Sequence, residues 1–171
     1  MAPPRSSARS TLHGSSLAAS GHSLWETIAV EAGRESELWA AALRPDAERE
    51  EQAVFSPLAE ERFAVGLETI YEGYLLHYGK PRLFRANDRD TRILLGDYLY
   101  AHGLVRVASL GEVEAVGALA ELLSLCAHLR AEGLPGDGEA WAATVSALDG
   151  GAEGSDAARG RALALHAERV E

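Results

Sequence analysis

The chain has 171 residues, of which 47% are hydrophobic and 25% charged, values typical of one globular domain with an apolar core. Its formal net charge of −10 argues against function through attraction to nucleic-acid phosphates or anionic lipid. The single cysteine, Cys126, excludes an internal disulfide, and we expect it to be a small buried residue in a reducing, cytoplasmic environment. No apolar run approaches the ~20 residues of a transmembrane helix.

The first 22 residues differ in composition from the rest of the chain. They are rich in Ser, Ala, Pro and Arg and contain no acidic residue. Because they lack a continuous apolar stretch, we do not expect a secretory signal, and the likeness to an organelle transit peptide is superficial. Residues 1–22 are predicted to be a disordered tail or the product of a start codon placed too early. Residues 23–171 are predicted to form one helical domain, with Ser23 capping its first helix.

Apolar residues recur at helical spacing through the domain, and no alternating strand pattern competes with them. Glycines followed by turn residues mark the helix ends. The pattern predicts an all-α fold, a single helical bundle of about six helices with short connections. The candidate helical segments are 24–43, 46–55, 58–79, 88–110, 112–133, 139–148 and 156–170.

Asp97 stands in the middle of an apolar helical stretch, "ILLGDYLYAHGLV", residues 93–105. On a helical wheel it shares a face with Ile93, Ala101 and Leu104, so we predict that its carboxylate is buried. A buried carboxylate needs a hydrogen-bond partner, a counter-charge, a cation or a proton. Two interpretations follow: a structural bond to a tyrosine, an arginine or a helix terminus, or a metal or diphosphate site.

Four other positions in the predicted helices are candidates for special roles. Gly96 and Gly103 lie two turns apart in one helix, where each glycine costs ~1 kcal/mol relative to Ala, and they predict close helix packing. Glu68 and Glu72 are candidate functional carboxylates on the preceding helix. They lack the Glu-x-x-His spacing of di-metal bundles, so no metal site is predicted. An enzyme using Asp97, Glu68 and Glu72 is the least favoured interpretation.

The connection "GKPRLFR", residues 79–85, holds three basic residues. Lys80, Arg82 and Arg85 are possible contacts for an anion, although a solvated basic loop is the favoured interpretation. The acids of "NDRD", residues 87–90, are predicted to cap the next helix, because residues i and i+2 do not share a helix face.

Residues 91–125, "TRILLGDYLYAHGLVRVASLGEVEAVGALAELLSL", resemble part of the trans-polyprenyl diphosphate synthase family. The match consists of "LLGDYL", residues 94–99, and "GEVEAVGALAELLSL" after it, within about residues 88–130. The resemblance implies an isoprenoid-synthase-like helical fold. Members of that family hold Mg²⁺ and an allylic diphosphate with two aspartate-rich, DDxxD-like motifs. This chain contains no Asp-Asp pair.

Because those motifs are missing, the resemblance implies a non-catalytic subunit. It is nearest in kind to the small subunit of heptaprenyl diphosphate synthase, which also carries a "GDYY"-like helix. Such a subunit assists a complete synthase in stability or product length, with a role in lining the prenyl chain. It needs no cofactor of its own, since Mg²⁺ belongs to the active partner. This interpretation predicts an exposed apolar face. The alternative is a free-standing helical interaction or scaffold protein, which binds another protein or forms a homo-oligomer and has no isoprenoid link.

Overall fold

The computed structural model describes residues 23–148 and 156–170, so the predicted tail lies outside the described residues. No strand occurs in the described part beyond one isolated bridge between Leu43 and Phe84. The predicted all-α fold is therefore confirmed. No helix in the described part is both long enough and apolar enough to span a bilayer. Its helices are α1 (Leu24–Glu35), α2 (Glu37–Ala42), α3 (Ala64–Tyr78), α4 (Arg89–Ala108), α5 (Val113–Ala131), α6 (Asp137–Ala147) and α7 (Asp156–Val170).

Helix α3 lies at the centre of the bundle. Every residue from Gly66 to Leu76 is buried, and the predicted core residues Phe63, Tyr71 and Tyr74 are among the fully buried aromatic side chains. A helix buried on all sides needs neighbours on all sides. Helix α4 packs along α3, and α1 and α7 contact other parts of its surface. Trp141 of α6 packs against Tyr71 of α3.

Helices α3 and α4 approach each other through two pairs of glycines. A Cβ atom added at Gly73 would lie 2.8 Å from the carbonyl oxygen of Gly96, and one added at Gly103 would lie 2.9 Å from that of Gly66. No real Cβ tolerates such distances, so larger residues would force the two backbones apart. The close packing predicted at Gly96 and Gly103 is confirmed.

Residues 46–55 do not form the predicted α-helix. Only a single 3₁₀ turn, Asp46–Glu48, is helical, and the rest of the segment runs along α3 as a loop. The backbone N–H groups of Val54, near the end of this segment, and of Ser56, just after it, donate to the Glu68 carboxylate at 3.1 and 3.2 Å. These tertiary hydrogen bonds override the local helical preference. Helix α3 accordingly begins at residue 64 rather than at residue 58.

Candidate functional site

Asp97 is not buried, contrary to the prediction. Its side chain is 65% exposed, and its Oδ1 atom lies 3.2 Å from Nε2 of His77. The buried side of α4 holds Leu95, Gly96, Leu99, Gly103 and Val107, and its glycines allow the close approach to α3. Asp97 lies beside this buried side rather than within it, and a solvated carboxylate needs no metal or buried partner.

From Leu94 to its end, the exposed side of α4 is apolar except at Asp97. We define the α4 outer face as Leu94, Asp97, Ala101, Val105 and Ala108, which recur at helical spacing and are all exposed. Leu94 is 55% exposed and Val105 65% exposed. Asp97 is the only charged member, although a quarter of the whole chain is charged. Single exposed apolar residues are ordinary, but a continuous stripe of them along a helix is typical of a binding surface.

Glu68 and Glu72 are both buried, and an arginine lies between them. Arg82 donates from Nη1 to Glu68 at 2.5 Å and from Nε to Glu72 at 2.9 Å, and all three side chains are fully buried. The remaining carboxylate oxygens also accept hydrogen bonds, including one of 2.7 Å from the backbone N–H of Leu83. Burial alone lowers the pKa of Arg82, but the two carboxylates outweigh burial and raise it, so the guanidinium stays charged.

This cluster has two consequences for the predicted sites. Arg82 is enclosed, so it is not available to an anion from solution, contrary to the prediction. Its guanidinium also occupies the position between Glu68 and Glu72 that a cation would need, which makes the pair a structural ion cluster. The cluster fixes the 50–58 and 79–85 loops on α3, because Arg82 also donates to the backbone oxygen of Gln52 at 2.8 Å.

Lys80 and Arg85, the other two residues of the predicted anion loop, are exposed. The ammonium group of Lys80 donates to the backbone oxygen of Glu168 at 3.3 Å. Arg85 pairs with Glu48 at 2.7 Å, and both side chains are about half exposed. Exposed pairs of this kind exchange readily with solvent or a ligand because they stabilise the fold by only ~0–1 kcal/mol.

A second buried polar cluster joins four helices and was missed at the sequence level. Asp137 of α6 accepts hydrogen bonds from Arg130 of α5 at 2.5 Å and from the hydroxyl of Tyr74 of α3. Its Oδ2 atom also lies 3.2 Å from Nε2 of His166 in α7, and His166 Nδ1 lies 2.9 Å from the hydroxyl of Tyr71. The partners are up to 95 residues apart in sequence, so no local pattern pointed to them.

Asp137, His166 and the Tyr71 hydroxyl follow the order carboxylate, imidazole and hydroxyl of a catalytic triad, but the electrostatics of this cluster favour a structural role. Burial lowers the pKa of His166, against the opposing effect of Asp137. Burial also raises the pKa of the Tyr71 hydroxyl far above its ordinary value, so that hydroxyl stays protonated. Tyr71 is fully buried, which leaves no path for a substrate to reach its oxygen.

In residues 23–148 and 156–170, no three His, Cys, Asp or Glu side chains come together in a way that could hold a metal ion. Searches for known relatives found no protein-family model, no curated protein and no solved structure that matches the chain.

Proposed function

We propose that the protein is a non-catalytic helical subunit that binds another protein through the α4 outer face. The observation that carries this proposal is the stripe of exposed apolar residues on that face, with Val105 65% exposed and one carboxylate in five positions. Burying an apolar side chain against a partner is favourable by ~25 cal/mol for each Å² removed from water. Because α4 packs along the central helix α3, it presents this surface on a rigid support.

The partner class that we propose is a polyprenyl diphosphate synthase. The "LLGDYL" part of the resemblance, residues 94–99, lies in the same helix that presents the exposed apolar face. The second support is the cluster in which Arg82 neutralises Glu68 and Glu72, since the inward carboxylate pair of α3 is then committed to the fold rather than to Mg²⁺. A subunit of this kind supplies surface to an active partner and performs no chemistry of its own.

Native capture with matched variants tests the proposal. The tagged full chain is captured from lysate of its own organism, and co-eluting proteins are quantified by mass spectrometry. The test variant is Leu94→Glu, and the control is Leu38→Glu on α2, because the two leucines are 55% and 47% exposed. A charge at the centre of a protein interface is expected to abolish a micromolar complex, whereas at a free surface it has little effect.

The expected result is a stoichiometric partner with two aspartate-rich motifs that the wild type and Leu38→Glu retain and Leu94→Glu loses. Equal retention by all three proteins would contradict binding through the α4 outer face. A stoichiometric partner without such motifs would contradict the isoprenoid assignment. If the wild-type protein captures no other protein, and the purified chain forms a dimer that Leu94→Glu disrupts, the result would support a self-associating scaffold instead.

A further inference from the structure

A groove of about 540 Å³ lies between the end of α3 and the beginning of α4. A smaller cavity of about 250 Å³ adjoins it, and Leu76, Ala86 and Arg92 line both. The groove is half open, and its volume falls in the range of about 300–1,000 Å³ that small-molecule sites occupy. None of the five residues of the α4 outer face lines either space, so the groove is a separate feature.

The two spaces gather positive charge on an otherwise acidic protein. Five of the 16 basic side chains of the chain line them: Arg44, Lys80, Arg85, Arg89 and Arg92. The chain as a whole has a net charge of −10. Concave sites lined by one sign of charge concentrate ions of the opposite sign.

Two of these arginines are held by backbone oxygens instead of carboxylates. Arg92 donates from Nη2 to the oxygen of Leu76 at 2.9 Å, and Arg44 donates to the oxygen of Pro81 at 3.3 Å. Neither forms an ion pair within the part of the chain that the structure describes. A carbonyl oxygen orients a guanidinium without neutralising it, so both charges remain available to a ligand.

The acidic groups near the groove are already engaged. Asp88 lines it, but its carboxylate caps α4 by accepting the backbone N–H of Thr91 at 2.8 Å. Asp97 lies close to His77, which also lines the groove. The carboxylate of Glu48 pairs with Arg85 at the outer edge. The basic side chains therefore outnumber the acids that could neutralise them.

Two buried nitrogen atoms at these spaces also lack a hydrogen-bond partner. They are Nε of Arg44 and Nε2 of His77, the latter lying 3.2 Å from the Asp97 carboxylate at the edge of the groove. Buried polar atoms in native proteins nearly always have a partner, and exceptions concentrate at functional sites. Both atoms belong to side chains that line the groove or its adjoining cavity.

We infer that this groove and its adjoining cavity together bind the phosphate group of a small molecule, with Arg89 of the groove, Arg44 of the cavity and Arg92, which lines both, as the cationic contacts. A phosphate carries up to two negative charges and several acceptor oxygens, and guanidinium groups match it with paired N–H donors. The apolar wall of Leu76 and Ile93 would contact the organic part of the ligand. The inference does not depend on the proposed protein partner, because it uses other residues.

Calorimetric titration of the full chain with inorganic diphosphate at constant ionic strength tests this inference. We expect saturable binding that Arg44→Gln and Arg89→Gln each weaken by about tenfold, as the loss of one charge-assisted contact predicts. Arg161→Gln on α7 is the matched control, since it removes the same charge from an exposed position outside the groove, and it should bind as the wild type does. Arg92 is left intact because its carbonyl contacts also hold the end of α3.

Three results would overturn the inference. The first is an absence of saturable binding by the wild type. The second is an equal loss in Arg89→Gln and Arg161→Gln, which would indicate a general charge effect. The third is that the wild-type protein sediments with phosphatidate vesicles, that Arg89→Gln weakens this sedimentation, and that no binding of diphosphate is detected. This result would indicate that the groove binds a membrane surface.

Discussion

Replacing Arg82 with methionine tests whether the buried ion cluster holds the fold together. The substitution keeps an unbranched side chain of similar length but removes the charge and every donor. Four hydrogen bonds are lost, to Glu68 and Glu72 and to the backbone oxygens of Gln52 and Glu68. The guanidinium also loses its contacts with the faces of Trp25 and Tyr71, whose ring centres lie 4.8 and 5.1 Å from Cζ.

The expected loss of unfolding free energy is about 3–5 kcal/mol, the usual cost of leaving one side of a buried ion pair without its partner. For a protein of this size, that corresponds to a fall in melting temperature of about 10 °C. The upper part of the range applies because two carboxylates, rather than one, lose their counter-charge. Their backbone donors at Val54, Ser56 and Leu83 remain, which keeps the loss below a simple sum of contacts.

Urea denaturation followed by tryptophan fluorescence measures this loss, with Arg85→Met as the control. Arg85 pairs with Glu48 at an exposed position, so its replacement should cost no more than ~1 kcal/mol. Equal costs for the two variants would contradict the role of the buried cluster in holding the fold together.

Three further predictions concern helix packing, pH and thiol reactivity. Gly103→Ala should destabilise by about 1–3 kcal/mol through overpacking against α3, whereas Gly117→Ala, with open space at its Cβ, should stabilise by about 1 kcal/mol in denaturant titrations. Burial lowers the pKa of His166 below its ordinary 6.5, against the opposing effect of Asp137, so the unfolded state binds more protons. Stability should therefore fall as pH drops below 6.5, less steeply in His166→Gln, and an unchanged slope would contradict the assignment. Burial raises the pKa of Cys126 to about 12, so a disulfide reagent should label it only after unfolding, and rapid labelling of the native protein would contradict this.

Local signals were sufficient to predict most of the helices. The side chain of Ser23 accepts the backbone N–H of Glu26, and Asp88 accepts that of Thr91, as their cap positions predicted. The left-handed φ values of Gly111 and Gly133, 82° and 65°, explain why helices stop there. These features depend on residues within four positions of each other, which sequence reasoning can evaluate directly.

The failures arose where distant residues decide the structure. Residues 46–55 resemble a helix in isolation, but Glu68 and Arg82 bind their backbone and hold them as a loop. Apolar residues lie on several sides of α4, so the helical wheel predicts a buried Asp97, whereas the glycine contacts between α3 and α4 determine which side is buried. In both cases the deciding partner lies on another element, so a single-segment pattern could not reveal it.

In-cell photo-crosslinking tests directly whether the α4 outer face binds a partner protein. Benzoylphenylalanine is placed at Val105 on the α4 outer face and, as a control, at Ala157, an exposed position of α7. We expect a discrete crosslinked product from position 105, containing a protein with two aspartate-rich motifs, and no such product from position 157. The proposal that this face binds a partner would be contradicted if position 105 gave no crosslink to another chain, or gave the same products as position 157.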